Sequence, residues 1–346
     1  MRIQQRDSNL ELYRIIVMLL IVAHHYVVNS GLINVMEQNP FTERSIFFYL
    51  FGAWGKTGIN CFLLITGYFM CQSKITWRKF LKLILEIEFY KITIYLIFVL
   101  SGYETFSITG CIKSIIPMLS LTDGFTNCFL VFYLCIPFLN VLVRNLEWKQ
   151  HGLLVLLCLF IYTIHVTIPG MSINMNYVSW FCTLYFIASY IRLYSFKWLN
   201  NIKWGGVFLL CISVSVISII LILWVNIKTN RHISPYRFLS DSNAIMAITT
   251  AVTSFMFFKK LHIPYNKCIN RIGASTFGVL LIHANSETMR HWLWIDIINC
   301  INHYNDTLYW FIPIISVICI FFFCIVIDYI RIKTIEKWIF NWIDQY

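Results

Sequence analysis

Charge is scarce in this 346-residue sequence. Only 12% of residues are Asp, Glu, Lys or Arg, while 59% are apolar and 17% aromatic. A soluble domain carries roughly a quarter of its residues charged, and no soluble core can bury so much hydrocarbon. A helical bundle in lipid can, because it uses apolar side chains on both its inner and outer faces. Several chemical signatures are missing as well. There is no Walker or Rossmann glycine pattern, no Asp-x-Asp pair, no His-Glu-x-x-His and no Gly-x-Ser-x-Gly elbow. Neither a metal nor a tightly held nucleotide is therefore indicated, and no bound cofactor is expected. The 12 Cys form no Cys-x-x-Cys pair and no zinc-like spacing. Most lie inside apolar runs, where a thiol packs as a small hydrophobe. Internal repeats, low-complexity tracts and an appended soluble domain are also absent, so residues 1–346 read as one integral membrane domain.

What charge there is carries a net +11. It comes in short basic clusters between apolar runs, which argues against a nucleic-acid partner and for a topology signal. Windows of membrane-spanning length place spans near Leu12 to Val28, Ser45 to Met70, Leu83 to Leu100, Gly124 to Val143 and Gly152 to Pro169. Further spans follow near Tyr177 to Tyr194, Gly205 to Asn226, Asp241 to Phe258, Gly273 to Trp294 and Leu308 to Tyr329. The expected fold is thus all-α, a polytopic bundle of about ten transmembrane helices. An even number puts both termini on one side, and most of the 27 Lys and Arg fall on that side, so both termini are expected in the cytoplasm. The first apolar run lacks a small-residue cleavage site and carries Arg and His, so it reads as a retained helix. Residues 333–346, with Ile335, Trp338, Ile339 and Trp342 on one helical face, suggest an interfacial helix against membrane lipid.

Polar side chains inside apolar spans need a partner or a wet cavity, and these define the candidate site. In the first span Arg14 and His25 are eleven residues apart, about three helical turns, so they share a face and stand roughly 16 Å apart along the axis. Glu11 lies in the same sector. His24 is rotated by about 100°, so only one of the two His should point along that face. Lys56, in Gly55-Lys56-Thr57-Gly58-Ile59-Asn60, interrupts the second span, and the glycines there suit close helix approach. Glu86, Glu88 and Lys91 have the spacing of intrahelical pairs. The run Ser275 to His283 ends an apolar half-helix with His283, Asn285 two residues on and Arg290 beyond, a set able to bind a sugar hydroxyl or orient a base. Arg78, Lys79 and Lys82 form a basic loop on the cytoplasmic side.

At these residues the chain resembles the membrane acyltransferase-3 family, integral membrane O-acyltransferases of the bacterial surface-glycan type, over nearly its whole length. Glu11, Arg14 and His25 reproduce an acidic residue three before an Arg and a His eleven after it, which selects His25 over His24. Phe62 to Tyr68 matches a Phe-x-x-x-Thr/Ser-Gly-Tyr/Phe segment. Where the family often has Arg-Arg-x-x-Arg, this chain has Arg78-Lys79-Phe80-Leu81-Lys82, so charge is kept without a guanidinium fork at Lys82. The segments Phe129 to Asn140, Leu184 to Arg192 and Ser275 to His283 add to the likeness.

The resemblance implies acyl transfer from a cytoplasmic acyl-CoA, acetyl-CoA above all, to a hydroxyl of a cell-surface polysaccharide or its lipid-linked precursor, in a bacterial inner or plasma membrane. Arg14 with Arg78, Lys79 and Lys82 would meet the CoA phosphates. His25 would be the base, with Glu11 and Arg14 beside it in the catalytic set. Lys56, His283, Asn285 and Arg290 would serve the acceptor or the oxyanion. Direct transfer and an acyl-enzyme on His25 both remain open, as do the acyl group, the acceptor, and association as a homo-oligomer or with glycan-assembly partners. Two other classes compete. A secondary transporter would use the same buried residues as a proton relay and should show two related halves, which are not evident. The other large group of membrane-bound O-acyltransferases would use His283 as base.

Overall fold

The computed structural model describes residues 7–115, 124–168, 171, 175–194 and 196–343. All regular secondary structure among them is helical. The helices that build the site, labelled in chain order, are α1 (Ser8–Val28), α2 (Gly55–Met70), α3 (Trp77–Leu100), α4 (Phe125–Asn145), α5 (Tyr177–Leu193), α6 (Ile245–Lys260), α7 (Thr276–His283) and α8 (Phe311–Arg331).

Six helical stretches among the described residues are long and apolar enough to cross a bilayer: Ser8–Val28, Glu43–Met70, Phe125–Asn145, Trp148–Thr167, Trp204–Thr229 and Phe311–Ile343. The other four predicted spans are helical too, but length and apolarity alone do not make them membrane helices. α3 has 24 residues yet carries Arg78, Lys79, Lys82, Glu86, Glu88 and Lys91, while α5 and α6 have 17 and 16 residues. The span predicted over Gly273 to Trp294 breaks after Ala274 and again after His283, leaving α7 only 8 residues long. Length and hydropathy therefore support six spans and leave the count of ten without direct support. The helix predicted over 333–346 is present as Lys337–Ile343, joined to α8 without interruption through a π-helical turn at Ile332–Glu336. Its last residues, 344–346, lie outside the described residues.

α1 is the central element. It packs against α2, α6, α7 and α8 and against the helices Glu43–Gly52 and Lys267–Ala274, and Met18, Val22, Tyr26 and Val27 on it are fully buried. The approach to α2 is close because Gly55 has no side chain; a Cβ there would overlap the His24 ring. At the junction of α2, α5 and the segment before α6, Asn60 is fully buried and fully used. It accepts from Trp180 Nε1 at 2.9 Å and donates to the Ser242 carbonyl at 2.6 Å. By contrast Trp148–Leu159 and Trp204–Thr229 turn Leu153, Leu156, Leu209, Leu210 and Leu221 outward, the pattern of helices that face lipid.

The bundle has two distinct ends. The start of α1, the end of α2, the start of α3 and the ends of α5, α6 and α8 gather at one, which is the basic end. There Asn9 Nδ2 donates to the carbonyls of Phe258 and Lys259, each at 3.1 Å. Arg331 bonds three carboxylates at the same end: Asp328 at 2.9 Å, Glu336 at 3.0 Å and Glu86 at 3.1 Å. Asp328 is fully buried against Gly278 of α7, where a Cβ would overlap its carboxyl. This contact fixes α8 against α7 and so sets where His283, at the far end of α7, comes to lie.

Candidate active site

At the far end a cavity of about 430 Å³ opens between α1, α2, α3, α4, α5 and the segment that follows α7. His24, His25, Lys56, Lys91, Asn285 and Arg290 all line it, above a floor that includes Met18, Ile21 and Phe62. The cavity is of the size that holds small ligands, and it mixes apolar walls with a few convergent polar groups, as binding sites do.

The central geometry is a pair of imidazoles. His283 Nδ1 lies 2.6 Å from the Val279 carbonyl, one turn back on its own helix. A carbonyl only accepts, so this nitrogen holds the proton and Nε2 of the neutral ring is left as an acceptor. That Nε2 lies 2.9 Å from His25 Nδ1, which therefore donates to it. The chain of bonds places the lone pair of His25 on Nε2, on the ring that lines the cavity. His283 itself is fully buried, edge-on to Trp294, and does not line the cavity. Its place is behind His25, where it fixes the tautomer and orientation of that ring. The expected direct role of His283 at the acceptor is not what this geometry provides.

Both members of the His doublet reach the cavity, contrary to the expectation that only one would share the face; the rings are long enough to converge from positions about 100° apart. Their bonding separates them. His24 Nδ1 donates to the Gly52 carbonyl at 2.6 Å, across the turn that leads into α2, so His24 ties α1 to the preceding helix. His25 alone is backed by a second imidazole.

The cations of the cavity have neutral partners. Lys56 Nζ donates to the Tyr177 hydroxyl at 2.9 Å, and Lys91 Nζ to Asn127 Oδ1 at 3.1 Å. Within α3 no close ion pair joins Glu86, Glu88 and Lys91: Lys91 bonds α4 and Glu86 bonds Arg331, while Glu88 acts on Lys91 at longer range. Asn285 is at the rim, where its Nδ2 donates to the Leu281 carbonyl at 2.9 Å and leaves Oδ1 available.

The remaining candidates lie elsewhere. Glu11 and Arg14 form an ion pair at 3.7 Å on α1, with Glu11 buried against Gly273. Arg14 stacks over Phe62, 5.8 Å from the ring centre, beneath the floor of the cavity and not inside it. Arg78, Lys79 and Lys82 line a separate pocket of about 470 Å³ at the basic end, shared with Lys333, Glu336 and Lys337. Within it Lys82 pairs with Glu336 at 2.5 Å, and Arg78 lies over the Phe340 ring.

Two features escaped the sequence reading. Lys91 had an acidic neighbour one turn away, which disguised it. Arg192 and Lys259 flank the buried Tyr68 ring from two helices, with Arg192 Nη1 donating to the Tyr68 hydroxyl at 2.6 Å; the Thr-Gly-Tyr motif around Tyr68 and the segment ending at Arg192 were the signals for it.

Chemically, the cavity offers a base on a fixed ring, with amide and cationic groups around it and an apolar floor of Met18 and Phe62. That set suits proton removal from a hydroxyl beside an electrophile whose developing negative charge meets a cation. No curated protein and no solved structure matches the chain. The Acyl_transf_3 acyltransferase domain, however, matches residues 7–331, nearly the whole of it, and the chain therefore belongs to that family as a membrane acyltransferase.

Proposed function

We propose that the protein is an O-acyltransferase that carries an acyl group, acetyl in the simplest case, from a cytoplasmic acyl-CoA to a hydroxyl of a cell-surface glycan or its lipid-linked precursor. The observation that carries this reading is the His283–His25 pair, which leaves His25 Nε2 as an unshared base facing the cavity. In the reaction the acceptor hydroxyl gives its proton to His25 Nε2 as its oxygen attacks the thioester carbonyl. The tetrahedral oxyanion is met by Arg290 or Lys56. The C–S bond then breaks, and the departing CoA thiolate takes the proton back from His25, which returns to its neutral form.

The two-ended architecture supports transfer across the membrane. Arg14 and the basic pocket around Arg78, Lys79 and Lys82 lie on the side that the Lys and Arg bias assigns to the cytoplasm, with both termini. The cavity lies on the opposite side. α3, α5, α6 and the broken segment around α7 complete a ten-span bundle when their polar residues face each other and not lipid.

The reading is tested with purified protein in detergent, with no membrane gradient, by following transfer of labelled acetyl from acetyl-CoA to a glycan acceptor, and by comparing glycan O-acyl content in cells with and without the protein. Transfer without a gradient is the expected result. Glycan acylation that is unchanged on deletion, with no transfer in detergent, would overturn it in favour of transport.

A further inference from the structure

The cavity beside His25 holds more positive charge than one acyl-transfer step uses. Lys56 and Lys91 each spend one donor on a neutral partner, Tyr177 and Asn127, and an ammonium has three. Arg290 brings a guanidinium to the same cavity. Among the described residues no Asp or Glu lines it. The acids nearest along the same helices are Glu88, one turn before Lys91, and Glu287, one turn before Arg290; neither forms a close ion pair with its neighbour among the described residues, and Glu88 acts on Lys91 only at longer range. All three cations are only partly exposed.

A tetrahedral intermediate presents one negative charge, and one cation meets it. Among the described residues Lys56 and Arg290 have no carboxylate within ion-pair distance and Lys91 has only the longer-range influence of Glu88, so after one cation meets the intermediate a half-buried cation is left that is costly unless the ligand supplies the opposite charge. We infer that the acceptor itself is anionic: a sugar bearing a carboxylate or a phosphate, held by Lys56, Lys91 and Arg290 so that a hydroxyl of the same unit faces His25 Nε2. Both groups accept charge-assisted hydrogen bonds from such a set. A second pocket of about 270 Å³ adjoins the cavity, sharing Lys91, Asn285 and Ser286 with it, and is lined further by Tyr95, Glu104 and Glu287. Its carboxylates disfavour a second anion and accept hydrogen bonds from hydroxyls. The charged unit therefore sits inside beside His25, and the next, neutral unit of the glycan lies at the mouth.

The inference rests on the acyl-transfer reading above and specifies its acceptor class. Isothermal titration of the full-length protein in detergent, with methyl β-glucoside, methyl β-glucuronide, glucose 1-phosphate and coenzyme A as probes, tests it. At least one of the two anionic sugars is expected to bind about tenfold tighter than the neutral glucoside, the size of one charge-assisted hydrogen bond. The preferred anion tells carboxylate from phosphate. Lys56→Met and Arg290→Met should each remove most of the preference and leave coenzyme A binding as it was. Equal binding of the glucoside and both anions, or no binding of either anion, would overturn the inference from the wild-type protein alone, whatever the variants do. An anion preference that survives both substitutions, or a fall in coenzyme A affinity in the same variants, overturns it too. His25→Ala keeps the two questions apart. It should lose transfer but keep the anion preference; retained transfer sinks the acyl-transfer reading only, whereas a wild type that transfers but shows no anion preference sinks the anionic acceptor only.

Discussion

The two ends of the bundle treat charge in opposite ways. At the basic end each charged group of the Arg331 cluster has an oppositely charged partner: Arg331 bonds Asp328, Glu86 and Glu336, and Lys82 pairs with the same Glu336. At the far end Lys56, Lys91 and His25 lean on a hydroxyl, an amide and an imidazole. Arg331, with three carboxylates around it, has nothing left to offer a ligand, and its work is to hold helices together, while Arg78, Lys79 and the half-exposed Lys82 line the pocket beside it. A cavity that no described Asp or Glu lines, and whose lysines bond neutral groups, keeps its charge for something that arrives. The contrast separates scaffold from site more sharply than burial does, since Glu86 and Lys91 are both partly buried residues of α3.

The largest effect is expected at the far end. His25→Ala should lower acyl transfer by about 10²- to 10⁴-fold, the usual worth of a general base, with membrane insertion unchanged, while His24→Ala, which breaks only a tie to Gly52, should cost far less. Equal losses in the two would erase the distinction drawn between them. At the basic end Arg331→Met leaves Asp328 and Glu86 without their cation and should destabilise the protein by about 3–5 kcal/mol, read as thermal unfolding in detergent. Normal stability there would show that the network is not structural. His283→Leu should reduce transfer on the order of a hundredfold by freeing the His25 ring, and His283→Gln, whose amide oxygen can still accept from His25 Nδ1, should recover part of it. No difference between Leu and Gln would remove the positioning role. The smallest effect belongs to Lys82→Ala, a half-exposed pair with Glu336 worth at most about 1 kcal/mol; a large loss of stability would mean that the basic end depends on its rim as well as on Arg331.

Much of this was legible in the chain itself, and the parts that were not have physical reasons. Helical geometry put Arg14 and His25 on one helix, and the cost of a charge in lipid singled out Lys56 and Arg290, both of which line the cavity. Spacing could not show that His283 would reach His25, because 258 residues separate them and the contact depends on how α7 packs between α1 and α8. Nor could it show that Arg14 would lie under Phe62. An i, i+3 spacing promised a close Glu88–Lys91 pair; packing of α3 near α4 gave Lys91 an amide as its hydrogen-bond partner, and Glu88 acts on it only at longer range. Span counting met a different limit. A helix that carries several charged residues, such as α3, or a segment broken into short helices, as around α7, is not assigned to the membrane by length and apolarity.

The Asp328–Arg331 pair also bears on how the chain enters the bilayer. The two residues are one turn apart on the same helix, so α8 brings its own counter-ion when it leaves the ribosome and needs no earlier helix to neutralise it. Glu86 is in the opposite position. Its helix is made more than two hundred residues earlier with Lys82 one turn away, and its closer partner, Arg331, arrives only with α8. Glu86 therefore gains its close ion pair only when the last long helix docks. Released chains truncated before Phe311 are expected to be open to protease at α3, and full-length chains to be resistant.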